Sequence, residues 1–377
     1  MRFKASVISW LGLPLVSVLL LYLFQSPSAV AGEEEGGAVY VLTNQSTDNT
    51  VVVFEKAENG TLVRAQEVST HGRGTGAGLG SQGALTLSHS GDLLFAVNAG
   101  SNEISVLAVS DHGLEFVGKA DSGGVRPISV AVHEEIVYVL NAGGTPNITG
   151  FVLSHSGKLR QIQNSTHALA GANAAAAQVG FSPDGDLLLV TEKNTNLIDV
   201  FQVGDEGRIE RTASLPSNGA TPFGFSFGPR GIVIVSEAAG GAPGASTLSS
   251  YRVTDGPSDN DTLDTISKSV PDTQAAACWV VITGGGRYAF TSNTGSGTVS
   301  SYLVSHRGDL SLMAGVAANL GAGSGPTDMA LSTNSRFLFV LNSGTGTVAG
   351  FRVNDGNLTP VTDVAGLPSG AEGIAAR

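Results

Sequence analysis

An apolar run ending in Asn or Glu returns seven times along this chain, and that recurrence limits the fold more than any other feature. The copies are VYVLTN ending at Asn44, LLFAVN at Asn98, VYVLN at Asn141, LLLVTE at Glu192, IVIVSE at Glu237, RYAFTSN at Asn293 and RFLFVLN at Asn342. Successive ends lie 54, 43, 51, 45, 56 and 49 residues apart. The flanks repeat too. A Gly/Asn/Ser turn follows each run, then an alternating strand ending in Phe54, Leu107, Phe151, Phe201, Tyr251, Tyr302 or Phe351. A further short strand comes after (GKLRQI, GRIERT, GDLSLM), and another precedes most runs (VGFSPDGD, VVITGGGR, MALSTNSR). The segments are strand-length, alternate in polarity and are bounded by turn residues, with no helical period.

Four strands in a unit of about 40–50 residues is the pattern of a propeller blade. The sequence therefore predicts an all-β chain, a seven-bladed β-propeller of four-stranded antiparallel blades over residues 38–377. Its ends look complementary. GAVYVLTN enters at a second strand without an innermost one, and GAEGIAA (370–376) reads as an orphan innermost strand. The C-terminal strand is expected to pair beside residues 38–44, closing the ring and removing its exposed edges.

Ahead of the repeats, Arg2 and Lys4 precede an apolar run from Ala5 to Phe24, and Ala29-Val30-Ala31 fits a cleavage site. Residues 1–31 read as a signal peptide and 32–37 as a short linker, with a retained anchor as the alternative. A secreted, periplasmic or otherwise extracytoplasmic location follows, with no membrane contact beyond that segment. Cys278 is the sole cysteine, so no intrachain disulfide can form. A net charge of −12 repels phosphate backbones and excludes nucleic acid as a partner. A monomer is expected, with a small molecule or glycan as ligand.

In a propeller, the loops entering the inner strands and those leaving the second strands gather at one mouth of the channel, where convergent polar groups define the default ligand site. The entering loops supply His71, Arg73, Arg126, His167, Phe223, Gln274, Trp279, Asp328 and Glu372. Glu192 and Glu237 stand where five copies carry Asn. Asp328 and Glu372 hold matching places in neighbouring units and could pair, bind a cation or bond backbone amides. His89, His155, His306 and His112 belong to turns. No metal-ligand spacing or nucleophile elbow occurs, and neither metal nor cofactor is expected. HGRGTGAGLG lacks the helix that a phosphate-cradling loop needs, so it reads as flexible glycine.

The unit carried by FSPDGDLLLVTEKNTNLIDVF, ATPFGFSFGPRGIVIVSE and VITGGGRYAFTSNTGSGTVSSYLV resembles the lactonase-type seven-bladed propellers, which include 6-phosphogluconolactonase-like and carboxymuconate-cyclase-like proteins. VYVLTN is also similar to the YVTN-repeat surface propellers. The first resemblance implies a channel site with His, Arg and Glu side chains that binds a lactone and moves a proton. Of those positions only Glu237 matches. Ala177 beside Gln178, Phe223 after Pro222, and Ala275 beside Gln274 replace the others. The implied activity is ring opening of a small, weakly charged lactone or ester, with Glu237 as general base and Arg126 or His167 at the oxyanion. Two other readings stand beside it: a non-catalytic propeller that binds a glycan, peptide or small ligand, and a surface-structural protein.

Overall fold

The computed structural model describes residues 36–256 and 260–377; the signal peptide and most of the linker expected from the sequence lie outside the described residues. Those residues form seven antiparallel sheets, each a blade whose strands run in order from the channel outward. Blade 2 illustrates the pattern: Leu85–Leu87, Leu93–Asn98, Glu103–Ser110 and Gly113–Asp121 follow one another across the sheet. Blades 4, 5, 6 and 7 repeat it without change of order. In blade 3 the outer strand is broken, and Leu159–Gln161 and His167–Ala168 both pair with Asn147–Leu153.

Blade 1 is assembled from both ends of the chain. Ile374–Ala376 pairs antiparallel with Gly37–Leu42, in the register Val39 to Ala376 and Val41 to Ile374. Each inner strand packs against the next, and Ile374–Ala376 packs against both Pro326–Leu331 and Leu85–Leu87. The ring is thus closed by the C-terminal strand, as the complementary ends of the sequence predict.

Burial explains why the second strand is the most legible part of each repeat. It has a neighbouring blade on both faces, so it reads as a continuous apolar run and not as an alternating one. Leu187–Glu192, Ile232–Glu237 and Phe337–Asn342 are buried at every position. The outer strand Ile209–Pro216 is exposed at most positions. The bulky residue of each third strand (Phe54, Leu107, Phe151, Phe201, Tyr251, Tyr302, Phe351) is at most 5% exposed, which makes it part of the packed core. Fully burying such a side chain is worth about 1.5–3 kcal/mol.

Candidate functional site: a stoppered channel mouth

The glycine-rich loop between blades 1 and 2 does not lie free over the ring. Its last residues, 79–83, enter the channel and bind the inner strands on several sides. The Ser81 hydroxyl donates to Ile128 O at 2.7 Å in blade 3, and Gln82 N donates to Ala177 O at 3.1 Å in blade 4. Across the axis, the Gln82 amide donates to Val280 O at 3.0 Å and accepts from Val280 N at 3.2 Å in blade 6. Trp279 Nε1 donates to Ser81 O at 2.8 Å. Ser81 N donates to Glu372 Oε1 at 3.3 Å in the segment leading to the closing strand.

Gly74 is required by packing and Gly80 by its backbone conformation, where the sequence suggests flexible glycine throughout. A Cβ on Gly74 would sit 2.2 Å from the backbone carbon of Asn44. Gly80 has φ +65°, a left-handed conformation that suits glycine.

Above this floor lies a cation that the sequence reading missed. Lys193 follows the second strand of blade 4, and its Nζ donates to Gly80 O at 2.6 Å while lying 4.6 Å from the centre of the Phe223 ring. Phe223 packs against Trp279 with ring centres 5.0 Å apart. Burial lowers the pKa of the Lys193 ammonium, with nearby Arg126 acting in the same direction and Glu372 against it. Arg126 is exposed, has φ +57°, and its backbone N–H donates to Asn102 Oδ1 at 2.7 Å. Lys193, Arg126, Phe223, Trp279 and Glu372 therefore form one neighbourhood.

Glu372 is buried and its carboxyl is pushed up to about 7 by desolvation, against backbone N–H donors at Ser81, Leu79 and Gly80. Asp328 accepts from Met329 N at 2.8 Å and Ile374 N at 3.3 Å. Burial holds it well above the ordinary carboxylate range, and Glu372 adds to the effect. Both acids thus bond backbone amides while standing close enough to repel. Cys278 is a buried thiol pushed up to about 12, and it belongs to the core.

The remaining sequence candidates are held by other partners or stand on the surface. Both oxygens of Glu237 accept hydrogen bonds: Oε1 from Gly219 N at 2.8 Å and Ser249 Oγ at 2.5 Å, Oε2 from the Thr247 hydroxyl. Glu192 is held alike, by Gly171 N at 3.0 Å and the Thr195 hydroxyl. Gln178 ties blade 4 to blade 5, donating to Phe225 O at 3.0 Å and accepting from Phe225 N at 2.6 Å. Gln274 accepts from Thr298 Oγ1 at 3.1 Å. His167 pairs opposite Ile148 in the broken outer part of blade 3, and burial lowers its pKa. His71 and Arg73 are exposed on an open surface recess that they share with Glu103 and Lys119, and His71 lies against Phe116 at 4.3 Å. Among the described residues, no group of three or more His, Cys, Asp or Glu is placed to hold a metal ion.

Seven blades close around a mouth where Lys193 lies over the Phe223 ring, and this architecture defines the class as a seven-bladed β-propeller. The family model of the lactonase seven-bladed β-propellers matches residues 30–171, 145–241 and 244–376, and the chain belongs to that family. No curated protein matches it. Among solved structures it is similar to a candidate 6-phosphogluconolactonase from Bacteroides fragilis, at 17% identity and a TM-score of 0.71, covering 92% of this chain and 99% of that one. It is also similar to the periplasmic gluconolactonase of Pseudomonas aeruginosa, at 16% identity and a TM-score of 0.69, covering 90% of this chain and 99% of that one. A protein from Lactobacillus plantarum aligns at 18% identity and a TM-score of 0.72, with 90% and 99% coverage. At such identities these likenesses speak for the fold.

Proposed function

We propose that this propeller hydrolyses a small lactone at the stoppered mouth of its channel, outside the cytoplasm. The observation that carries the reading is Lys193, a partly buried amine set 4.6 Å over the Phe223 ring with Arg126 acting on it. A lysine whose pKa is lowered by burial can hold its neutral form nearer neutrality and take a proton. Lys193 then replaces Glu237 as proton carrier, because the Glu237 carboxylate is already engaged by Gly219, Ser249 and Thr247.

In this account the lactone ring lies against Lys193 and Arg126, above the buried Phe223 and Trp279. Lys193 takes a proton from water as its oxygen attacks the ring carbonyl, and Arg126 faces the oxyanion that forms. The ring C–O bond breaks, the proton passes to the departing alkoxide, and a hydroxy acid leaves. The extracytoplasmic address rests on Arg2, Lys4, the apolar run and Ala29-Val30-Ala31.

A panel of lactones of different ring size and charge, assayed with wild type and Lys193→Met, tests the reading. Loss of a proton carrier should lower kcat by roughly 10²–10⁴-fold. Equal rates for the two proteins would remove Lys193 from the mechanism. A second reading is favoured by the aromatic pair taken alone: the mouth holds a ring, such as a sugar, without turning it over. Saturable binding that Trp279→Ala abolishes, with no product from any lactone, would mark that case.

A further inference from the structure

A connection between adjacent blades needs only to span the gap, yet residues 79–83 bond to blades 3, 4 and 6 and to the segment before the closing strand. Gln82 makes the contact across the axis. It donates to Val280 O and accepts from Val280 N at 3.0 and 3.2 Å, the two-way exchange that a strand residue makes with its partner. Room for this amide depends on Gly224, where a Cβ would lie 2.0 Å from Gln82 Oε1. Trp279 adds a second tie at Ser81 O, and Gly80 O receives the Lys193 ammonium at 2.6 Å.

We propose that residues 79–83 are a stopper latched by Gln82 and Trp279, and that Gln82 is a positioning residue acting through Lys193. The latch fixes Gly80 O, which aims the lysine. The packed stopper also keeps water from the amine on its channel side. The charged or titratable groups facing Lys193 are Glu372, Cys278 and Arg126, with Asp328 acting on Glu372 behind them. The positioning role rests on Lys193 as proton carrier; the stopper does not.

The test uses the full chain carrying Trp10→Phe, which leaves Trp279 as the sole tryptophan. Against that parent, Gln82→Ala should shift Trp279 emission to longer wavelength and at least double its acrylamide quenching, with far-ultraviolet circular dichroism unchanged. Gln82→Glu guards against misfolding. Its protonated carboxyl can both donate to Val280 O and accept from Val280 N, so emission should match the parent near pH 4 and move to longer wavelength near pH 8, where a carboxyl ionises. Parent-like emission and quenching in both variants at all pH values would overturn the stopper. On a turned-over lactone, the limb of the pH–rate profile set by Lys193 should move up by about one unit in Gln82→Ala as the amine regains solvent. An unmoved limb alongside shifted emission would overturn the positioning role. Should the parent turn over no lactone, the enzymatic reading fails while the emission measurements still decide the stopper.

Discussion

Two glutamates and one lysine show how far a single side chain can be read from its type and place. Glu192 and Glu237 stand where other copies carry Asn, and the substitution resembles a catalytic departure. The structure gives them the task of the asparagines. Asn98 and Asn141 each face an entering-loop glycine, Gly72 and Gly124, whose added Cβ would come within 2.3 and 2.6 Å of their amide carbons. Gly171 and Gly219 approach Glu192 and Glu237 in the same way, and here the loop N–H donates to the carboxylate. Glu237→Gln should therefore lower stability by roughly 1–3 kcal/mol, because it removes an acceptor from buried donors. Denaturant unfolding checks this, and an unchanged midpoint would contradict the anchoring role. Lys193 carries a signal in the aligned repeats that its own residue type does not. At its place in the other copies stand Gln45, Ala99, Ala142, Ala238, Thr294 and Ser343, so it is the sole charge among seven equivalent positions near the mouth.

At the scale of strands and loops, legibility follows burial on two faces. The second strands announce themselves as unbroken apolar runs since blades cover both sides of them. The short closing strand was legible because Gly37–Leu42 begins the described sheet without an inner neighbour of its own. The stopper was not legible. Its fixing contacts join residue 82 to residue 280 and residue 81 to residue 372, and no local periodicity encodes pairs so distant. Ending the chain after Gly373 would expose the Gly37–Leu42 edge and strip Ile374 from the core it shares with Val39 and Val41. Such a truncation should unfold at least several degrees below the full chain or fail to stay soluble, since an open, apolar edge strand promotes association. Unchanged melting would contradict closure by that strand.

For the molecule as a whole, the buried acids set an unusual dependence on pH. Asp199 is pushed up to about 6 by desolvation, Asp272 to about 6 for the same reason, and Glu372 to about 7, while Asp328 lies well above its ordinary range. Each is protonated in the folded chain at pH values where the unfolded chain has released the proton. The native state therefore binds more protons between about pH 4 and pH 7, and stability falls as pH rises through that window. Melting should be highest on the acid side of the window and decline toward pH 7; a melting temperature that climbs steadily from pH 4 to pH 7 would contradict these environments. At higher pH the sign reverses at Lys193, whose lowered pKa leaves the unfolded chain with the extra proton.

Proton transfer by Lys193, as proposed, would be visible in the pH dependence of kcat/KM on a turned-over lactone. The rate should rise to a plateau with a midpoint below the ordinary lysine value, and Lys193→Arg should keep the charge yet lose both the limb and at least about 10²-fold in rate. A Lys193→Arg protein with wild-type rate and an unchanged profile would contradict it.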